Sequence, residues 1–256
     1  MPHVETTHAT IDRGRPPVLL VHGAWHASWC WTEHWTDYLA NRGYTTHAVD
    51  LRGHGDSPGP LKGSRIRDYV DDVHSVAESL DEQPAIVGHS MGGFVTQHYL
   101  SKYRARAGVL MASVPNHGVI PASFRVARKH PKAFLHTNAK QNLGHLVEDK
   151  DRAKSLLFGP HTPDEHAHKH IHRVQDESYR AFIGMMFTRP KPKHVQDPVF
   201  VIGAEHDGLF SPQDIERTAA AYGTTATVFK GIGHNMMLDT KWEEPAESVV
   251  DFLDTI

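Results

Sequence analysis

The sequence predicts an α/β protein in which a mostly parallel central sheet carries helices on both faces and an inserted helical cap. Short β-branched and aliphatic runs alternate with amphipathic stretches in both end portions of the chain, a pattern typical of parallel sheets with crossover helices. The alternation stops at about residue 114 and resumes after residue 194. Because loops of that length are uncommon, we expect a core formed by residues 1–113 and 195–256, and a cap formed by residues 114–194.

Four apolar runs before the insertion predict strands. They are Val18–Val21, Thr45–Asp50, Ala85–Val87 and Val109–Met111. A helix is predicted after the first run, because Trp31, Trp35, Tyr38 and Leu39 share one helical face and Gly43 follows as a stop. A second apolar stripe predicts a helix from Ile66 to Leu80, and a third helix is expected to continue to about Tyr103.

After the insertion, Pro198–Gly203 and Thr225–Phe229 predict the last two strands. Between them, Ser211 begins a helix as N-cap, with Pro212 at the first helical position and Asp214 at the third. A closing helix is expected from Trp242 to Leu253.

Composition and charge exclude several classes of protein. The 27 Lys and Arg against 30 Asp and Glu give a net charge of −3, so we expect no nucleic-acid surface. No apolar run approaches the ~20 residues of a membrane span. Cys30 is the only cysteine, which excludes an intrachain disulfide framework. The first residues lack the basic and apolar regions of a signal peptide, so a cytoplasmic location is expected. Nothing in the sequence specifies an oligomeric state.

The pentapeptide Gly88–Gly92 has the pattern G-x-S-x-G and lies between a predicted strand and a predicted helix. In that context, small residues allow a tight strand-to-helix turn that exposes the serine hydroxyl at the N-terminus of the helix. Ser90 is therefore the predicted nucleophile. A chance match remains the alternative, since glycine and serine are common in turns.

A serine nucleophile needs a base, and the base needs an orienting carboxylate. Asp207 and His234 each follow one of the last two strands, in the expected order of serine, acid and histidine. Glu205 is a rival acid. Asp207 is favoured because it stands before a glycine where the loop turns back, and because the stretch after the strand ending at Met111 contains no acid.

Acyl transfer also needs two backbone N–H groups that stabilise an oxyanion. Met91, directly after the nucleophile, is predicted to supply one. Ala24, in the turn after the first long strand, is predicted to supply the other. A plain strand-ending turn at His22-Gly23 is the alternative.

Together these segments resemble the α/β-hydrolase superfamily. The resemblance rests on five motifs that occur in the family's order, which are HGAW at 22–25, DLRGHGDS at 50–57, GHSMGG at 88–93, GAEHD at 203–207 and GIGHN at 231–235. It implies Ser90, Asp207 and His234 as a catalytic triad, with Ala24 and Met91 as oxyanion donors. The DLRGHGDS motif is expected to hold its loop by hydrogen bonds and to play no catalytic part.

The segment from His22 to Trp31 further resembles the esterase branch that includes methylesterases and hydroxynitrile lyases. Ser90 argues against dehalogenases and epoxide hydrolases, which carry aspartate there, and Gly208-Leu209-Phe210 lacks the lysine usual in the lyases. We therefore predict a serine carboxylesterase or small lipase that needs no cofactor or metal and acts on a small-molecule ester, with Trp25 and Phe210 as substrate contacts. The alternatives are a cofactor-free perhydrolase (haloperoxidase), lactonase, thioesterase or amidase, and, from another class, a ligand receptor with slow turnover.

Substrate specificity is expected to reside in the cap. Its large apolar residues could form the roof of an acyl pocket or simply pack in the cap core; they are Phe124, Phe134, Leu156, Leu157, Phe158, Phe182, Met185, Met186 and Phe187. Two i, i+4 histidine pairs, 166/170 and 168/172, have a spacing that can bind zinc. Their charged neighbours favour a solvated lid helix instead.

Overall fold

A computed structural model describes all of residues 1–256. Its sheet has seven strands in the order β1-β3-β2-β4-β5-β6-β7, and only the β1–β3 pair is antiparallel. The strands are β1 (Val4–Thr7), β2 (Val18–Val21), β3 (Thr46–Val49), β4 (Ala85–His89), β5 (Ala107–Met111), β6 (Val199–Ala204) and β7 (Ala226–Phe229). The predicted fold class is confirmed: a mostly parallel sheet carries helices on its faces and a helical insertion.

Six helices belong to the part of the chain that builds the sheet: α1 (Trp29–Thr32), α2 (Trp35–Ala40), α3 (Ile66–Ala77), α4 (Met91–Leu100), α10 (Pro212–Ala221) and α11 (Glu243–Leu253). Five more lie between β5 and β6: α5 (Ile120–Lys129), α6 (Pro131–Lys140), α7 (Lys150–Leu157), α8 (Asp164–Ile171) and α9 (Tyr179–Phe187). Two short 3-10 turns, Leu143–Leu146 and Pro192–His194, complete that insertion. The division at residues 114 and 194 stays a prediction.

Most elements agree with the sequence, and the capping box predicted at Ser211 and Asp214 is present. Two differences are instructive. The sequence predicted no strand at β1, which is short and half-exposed and pairs only with β3 at the edge of the sheet. The helix predicted across Trp31 to Leu39 is broken into α1 and α2 at His34, whose φ of −146° is not helical.

The core lies around the central strands β2, β4 and β5, all of whose residues are buried. Strands buried on both faces are typical of a parallel sheet covered by helices. Since these strands run parallel, the loops that follow them emerge at one edge of the sheet, where α/β proteins place their sites. Ala24, Ser90, Asp207 and His234 follow β2, β4, β6 and β7 respectively.

A buried carboxylate joins the insertion to the sheet core. Glu177, between α8 and α9, accepts hydrogen bonds from the Tyr69 hydroxyl (2.8 Å) and the Ser178 N–H (2.6 Å). It also pairs with His54 Nε2 at 3.0 Å. Burial opposes a charge on His54, but the adjacent Glu177 carboxylate raises the pKa of that imidazole overall. The insertion is therefore attached to the core through a His54–Glu177 hydrogen bond whose two side chains are fully buried.

Gln175, two residues earlier, ties the same segment to two loops of the core. Its backbone N–H donates to the Trp25 carbonyl (2.9 Å), and its side-chain amide bonds the backbone of Gly53 and Gly55. The cap thus contacts the turn that contains Ala24. None of the helices is long and apolar enough to cross a membrane.

Candidate active site

Ser90 lies in a strained turn between β4 and α4. Its φ of 53° and ψ of −116° are unfavourable for a residue with a side chain, and such strain is typical of a nucleophile elbow. Only glycine fits at the two flanking positions, because a side chain there would clash with neighbouring backbone. A Cβ on Gly88 would lie 2.4 Å from the Gly92 carbonyl oxygen, and one on Gly92 would lie 2.3 Å from that of Val21. The turn therefore packs backbone against backbone and holds the serine hydroxyl rigidly.

A continuous hydrogen-bonded relay connects Ser90 to Asp207 through His234. Ser90 Oγ lies 2.9 Å from His234 Nε2, and His234 Nδ1 lies 2.8 Å from Asp207 Oδ2. Because the Asp207 carboxylate only accepts, Nδ1 carries the ring proton and Nε2 accepts from the Ser90 hydroxyl. The His234 and Asp207 side chains are 1% and 0% exposed, so water does not compete for these contacts.

Asp207 is itself held in place by the loop that follows β6. Its Oδ1 accepts hydrogen bonds from the backbone N–H groups of Leu209 (2.7 Å) and Phe210 (2.9 Å), which leaves Oδ2 for His234. Glu205, the rival acid, has a side chain that is 45% exposed and accepts from the Gly231 N–H. It makes no hydrogen bond to His234.

Two backbone N–H groups stand beside Ser90 without a partner in the protein. Those of Ala24 and Met91 donate no hydrogen bond. The turn containing Ala24 packs directly on Ser90, since a Cβ on Gly23 would lie 2.8 Å from Ser90 Cβ. Trp25, the next residue, has a φ of 68°. Both N–H groups are therefore free to bond a group bound beside Ser90.

Three buried histidines lie in this turn or against it. His22 Nε2 accepts from the Leu51 N–H (3.1 Å) and its Nδ1 donates to the Gly23 carbonyl (2.8 Å). His26 bonds the Ala24 carbonyl (2.7 Å) through Nδ1 and the Asn235 amide (3.1 Å) through Nε2. His89 Nε2 donates to the carbonyl of His234 (3.0 Å). His26 therefore links the turn that contains Ala24 to the loop of His234.

Burial lowers the pKa of all three histidines. It lowers the pKa of His26 to about 4, and it places the pKa values of His22 and His89 well below the ordinary range, helped by neighbouring imidazoles. Since an unfolded histidine has a pKa near 6.5, the unfolded chain binds protons below that pH while these sites stay neutral. Stability is thus lost as the pH falls through this window. His54, whose pKa is raised, acts in the opposite direction.

We therefore expect the free energy of unfolding to fall steadily between about pH 6.5 and pH 4, His26 alone accounting for about 3 kcal/mol. Urea titrations at half-unit pH intervals measure it. In His26→Gln, the free energy of unfolding should depend less steeply on pH, because about one proton fewer is taken up on unfolding. A pH dependence that is identical in both proteins would contradict this assignment.

A largely apolar cavity opens onto Ser90. No charged side chain lines it. The apolar lining residues are Ala24, Trp25, Met91, Val114, Val119, Ala122, Val126, Phe134, Leu143, Leu146, Phe182, Met185, Leu209 and Phe210; the others are Ser90, Ser123 and Thr137. Both residues predicted to contact substrate, Trp25 and Phe210, therefore line the cavity.

Only some of the apolar cap residues that could cover an acyl pocket line this cavity. Phe134, Phe182 and Met185 line it, whereas Phe124 and Phe187 are each 73% exposed. Sequence reasoning missed most other lining residues. One signal was available: Val119, Ala122, Ser123 and Val126 recur at i, i+3, i+4 and i+7 around α5, the pattern of one helical face.

Three histidines of the predicted pairs, His166, His168 and His170, lie on α8, and His172 directly follows it. His166 Nε2 is hydrogen-bonded to the Leu238 carbonyl (2.7 Å), and His170 is buried while His172 is exposed. The expected solvated lid helix thus holds for one face of α8 only. The structure brings no third ligand to either pair, since the one set of three potential metal ligands is His3, Asp50 and Asp56.

The chain matches the model of a known family over residues 18–252, which includes the whole sheet except β1. The chain belongs to the alpha/beta hydrolase family. The match covers the elements that position Ala24, Ser90, Asp207 and His234, and membership supports a hydrolase activity.

The chain is similar to proteins with several different activities. It is 30% identical over 157 residues to the AB hydrolase superfamily protein YisY of Bacillus subtilis, covering 60% of this chain and 55% of YisY. It is 26% identical over 212 residues to Methylesterase 18 of Arabidopsis thaliana, covering 76% of this chain and 80% of that protein. The chain thus spans just over half the length of the first curated relatives it matches.

Among solved structures, a bromoperoxidase from Bacillus anthracis superposes with a TM-score of 0.76 at 21% identity. The superposition covers 98% of this chain and 94% of the other chain. At this identity, the likeness establishes the fold and not the activity.

Proposed function

We propose that this protein is a serine hydrolase that cleaves carboxylic esters through an acyl-enzyme. The observation that carries the proposal is the relay in which Ser90 Oγ lies 2.9 Å from His234 Nε2 and His234 Nδ1 lies 2.8 Å from Asp207. A nucleophile, a base and an orienting carboxylate within hydrogen-bond reach are what covalent acyl transfer requires. The free N–H groups of Ala24 and Met91 support the same reading.

In the first half of the reaction, Ser90 Oγ attacks the ester carbonyl while His234 Nε2 accepts its proton. Negative charge on the carbonyl oxygen is stabilised by the N–H groups of Ala24 and Met91, each such donor contributing typically about 100- to 1,000-fold in rate. The bond to the alcohol oxygen then breaks, and His234 returns its proton to the leaving alkoxide. An acyl group remains on Ser90, and Asp207 keeps the imidazole oriented throughout.

In the second half, a water molecule takes the place of the alcohol. His234 Nε2 removes a proton from the water as its oxygen attacks the acyl carbonyl, and the same two N–H groups hold the second oxyanion. The bond to Ser90 Oγ breaks, the proton passes from His234 to the serine, and the carboxylic acid leaves. Every proton is accounted for by these three residues, so the scheme uses no cofactor or metal.

The apolar lining of the cavity favours an uncharged substrate with a hydrocarbon portion. Trp25 and Phe210 lie next to the oxyanion turn and to Asp207, and we assign them to substrate contact. The same residues could transfer an acyl group from a thioester or a lactone, or to peroxide in place of water.

The test is a panel of p-nitrophenyl esters from acetyl to palmitoyl, with Ser90→Ala as the control protein. Because the cavity lining is almost entirely apolar, we expect kcat/KM to increase from the acetyl ester to esters with longer acyl chains. A lactone, a thioester and a peroxide-dependent assay run on the same preparation separate the alternative chemistries. Turnover of the whole ester panel at equal rates by both proteins would overturn the proposal.

A further inference from the structure

One peptide unit in the turn after β2 carries a bonded carbonyl at one end and a free donor at the other. It joins Gly23 to Ala24, and its N–H, that of Ala24, donates no hydrogen bond. Its oxygen, the Gly23 carbonyl, lies 2.8 Å from His22 Nδ1. The peptide is trans and therefore planar, with its C=O and N–H pointing in opposite directions. Whatever holds the Gly23 carbonyl thus sets the direction of the Ala24 N–H.

The ring of His22 is fixed by a second bond at its other nitrogen. The N–H of Leu51, in the loop after β3, donates to His22 Nε2 at 3.1 Å. Because Nε2 accepts, the ring proton is on Nδ1 and is donated to the Gly23 carbonyl. Burial lowers the pKa of His22 well below its ordinary range, so the ring stays neutral and keeps this tautomer near neutral pH.

The order of the strands shows where the two ends of the peptide point. In the sheet, β2 lies between β3 and β4. Leu51 follows β3, whereas Ser90 follows β4. Since His22 is bonded to Leu51, it holds the Gly23 carbonyl on the β3 side of the turn. The Ala24 N–H, which points the opposite way, is then directed to the β4 side, where Ser90 lies.

The Gly23 carbonyl has only one other restraint in the protein. The His26 N–H reaches it at 3.4 Å, which is longer than the usual N–H···O hydrogen bond. The bond from His22 is shorter, and both His22 and Gly23 are buried, so water does not replace it. Loss of the His22 donor would therefore free the Gly23–Ala24 peptide to rotate.

We propose that His22 is a positioning residue that directs the Ala24 N–H toward the oxyanion. It does not line the cavity, and it acts only through the Gly23–Ala24 peptide. The inference rests on the proposed ester hydrolysis and adds a residue to its machinery. It also gives the DLRGHGDS motif an indirect part in the reaction, because Leu51 of that motif sets the tautomer of His22.

The test uses three replacements of His22 that separate its two hydrogen bonds. His22→Asn keeps an N–H at the position of Nδ1 and loses the acceptor for Leu51. His22→Leu has the shape of asparagine but no N–H. His22→Gln offers an acceptor near the position of Nε2 and no donor beside Gly23. Of the three, only the asparagine variant can still hold the Gly23 carbonyl.

Kinetics on p-nitrophenyl hexanoate measure the effect of each replacement. We expect kcat to fall about 100-fold in His22→Leu and His22→Gln, as on loss of one oxyanion donor, and to stay within a few-fold of the wild type in His22→Asn. KM should change little, because the oxyanion forms only in the transition state. A merely structural role would instead lower activity in all three variants in proportion to their loss of stability.

An oxyanion analogue gives a second readout that does not depend on turnover. Trifluoromethyl hexyl ketone binds serine hydrolases as an adduct: Ser90 Oγ adds to its carbonyl carbon, His234 takes the serine proton, and the negative charge stays on the ketone oxygen. Its inhibition constant should rise in His22→Leu and His22→Gln by the same factor by which kcat/KM falls. In His22→Asn it should stay close to that of the wild type.

Melting temperature and circular dichroism establish that each variant is folded before rates are compared. If His22→Leu does not fold, His22→Gln, which keeps an acceptor for Leu51, takes its place against His22→Asn. His170→Leu is the matched control for putting leucine in place of a buried histidine, since His170 is 1% exposed and neither of its ring nitrogens is bonded. Its kcat should stay within a few-fold of the wild type.

The outcomes distinguish failure of this inference from failure of the ester reaction. Equal kcat in wild type and His22→Gln would overturn the positioning role and leave ester hydrolysis standing. So would a kcat in folded His22→Asn as low as in His22→Leu, because the bond to Gly23 would then not matter. A wild type that neither hydrolyses the ester nor binds the ketone would overturn both, since no oxyanion would form.

Discussion

Replacing Ser90 with alanine is expected to lower kcat for ester hydrolysis by a factor of about 10⁵ to 10⁶, as loss of the nucleophile does in other serine enzymes. The change removes one oxygen atom from a turn whose backbone is fixed by its contacts with Gly88 and Gly92. The melting temperature and the circular dichroism spectrum should therefore stay close to those of the wild type. Initial rates on p-nitrophenyl hexanoate measure the effect.

The matched control for this experiment is Ser101→Ala, which removes a serine hydroxyl from the opposite end of the same helix. Ser101 lies outside the relay and bonds the Gln97 carbonyl and the Lys191 N–H. Its turnover should remain within a few-fold of the wild type. Residual activity of Ser90→Ala above about one per cent would mean that another group attacks the substrate.

Replacing Asp207 with asparagine is expected to reduce kcat about 10⁴-fold. The asparagine side chain has the same shape, but its amide can present an N–H to His234 Nδ1. The imidazole would then carry its proton on Nε2, facing Ser90, and could no longer accept the serine proton. Because Leu209 and Phe210 still bond the side-chain oxygen, substrate binding should change much less than kcat.

Glu205→Gln is the control that tests whether Glu205, rather than Asp207, is the acid that orients His234. Glu205 is half-exposed and makes no hydrogen bond to His234, so its kcat should stay within a few-fold of the wild type. A large loss of kcat in Glu205→Gln, with Asp207→Asn close to wild type, would reverse the assignment of the acid.

Most strands of the sheet could be predicted because each is marked by a local run of apolar residues. The apolar runs of β2, β4 and β5 are buried on both faces, so they read as continuous hydrophobic segments. The residues of the relay could be named because each follows a strand in a short motif, and parallel strands bring such loops to one edge. Ser90, Asp207 and His234 lie far apart in the sequence, yet each could be predicted from its own local motif.

The cavity could not be predicted in the same way, because its shape depends on how cap helices pack over the sheet. Phe134 and Phe124 look alike in the sequence, yet one lines the cavity and the other is exposed.

The buried histidines around Ala24 and His234 could not be recognised from the sequence for a different reason. With 22 histidines in the chain, nothing local distinguishes His26 and His89 from those on the surface. The structure separates them by burial and by their bonds to the backbone of Ala24 and His234.

The most direct test of the central claim is to treat the protein with a fluorophosphonate and locate the adduct by tandem mass spectrometry. Ser90 lies in the tryptic peptide 68–102, together with other serines that serve as internal controls. We predict one adduct per chain, on Ser90, with loss of labelling in Ser90→Ala and slow labelling in Asp207→Asn. An unlabelled peptide 68–102, or an adduct on any other residue, would contradict the assignment of Ser90 as an activated nucleophile.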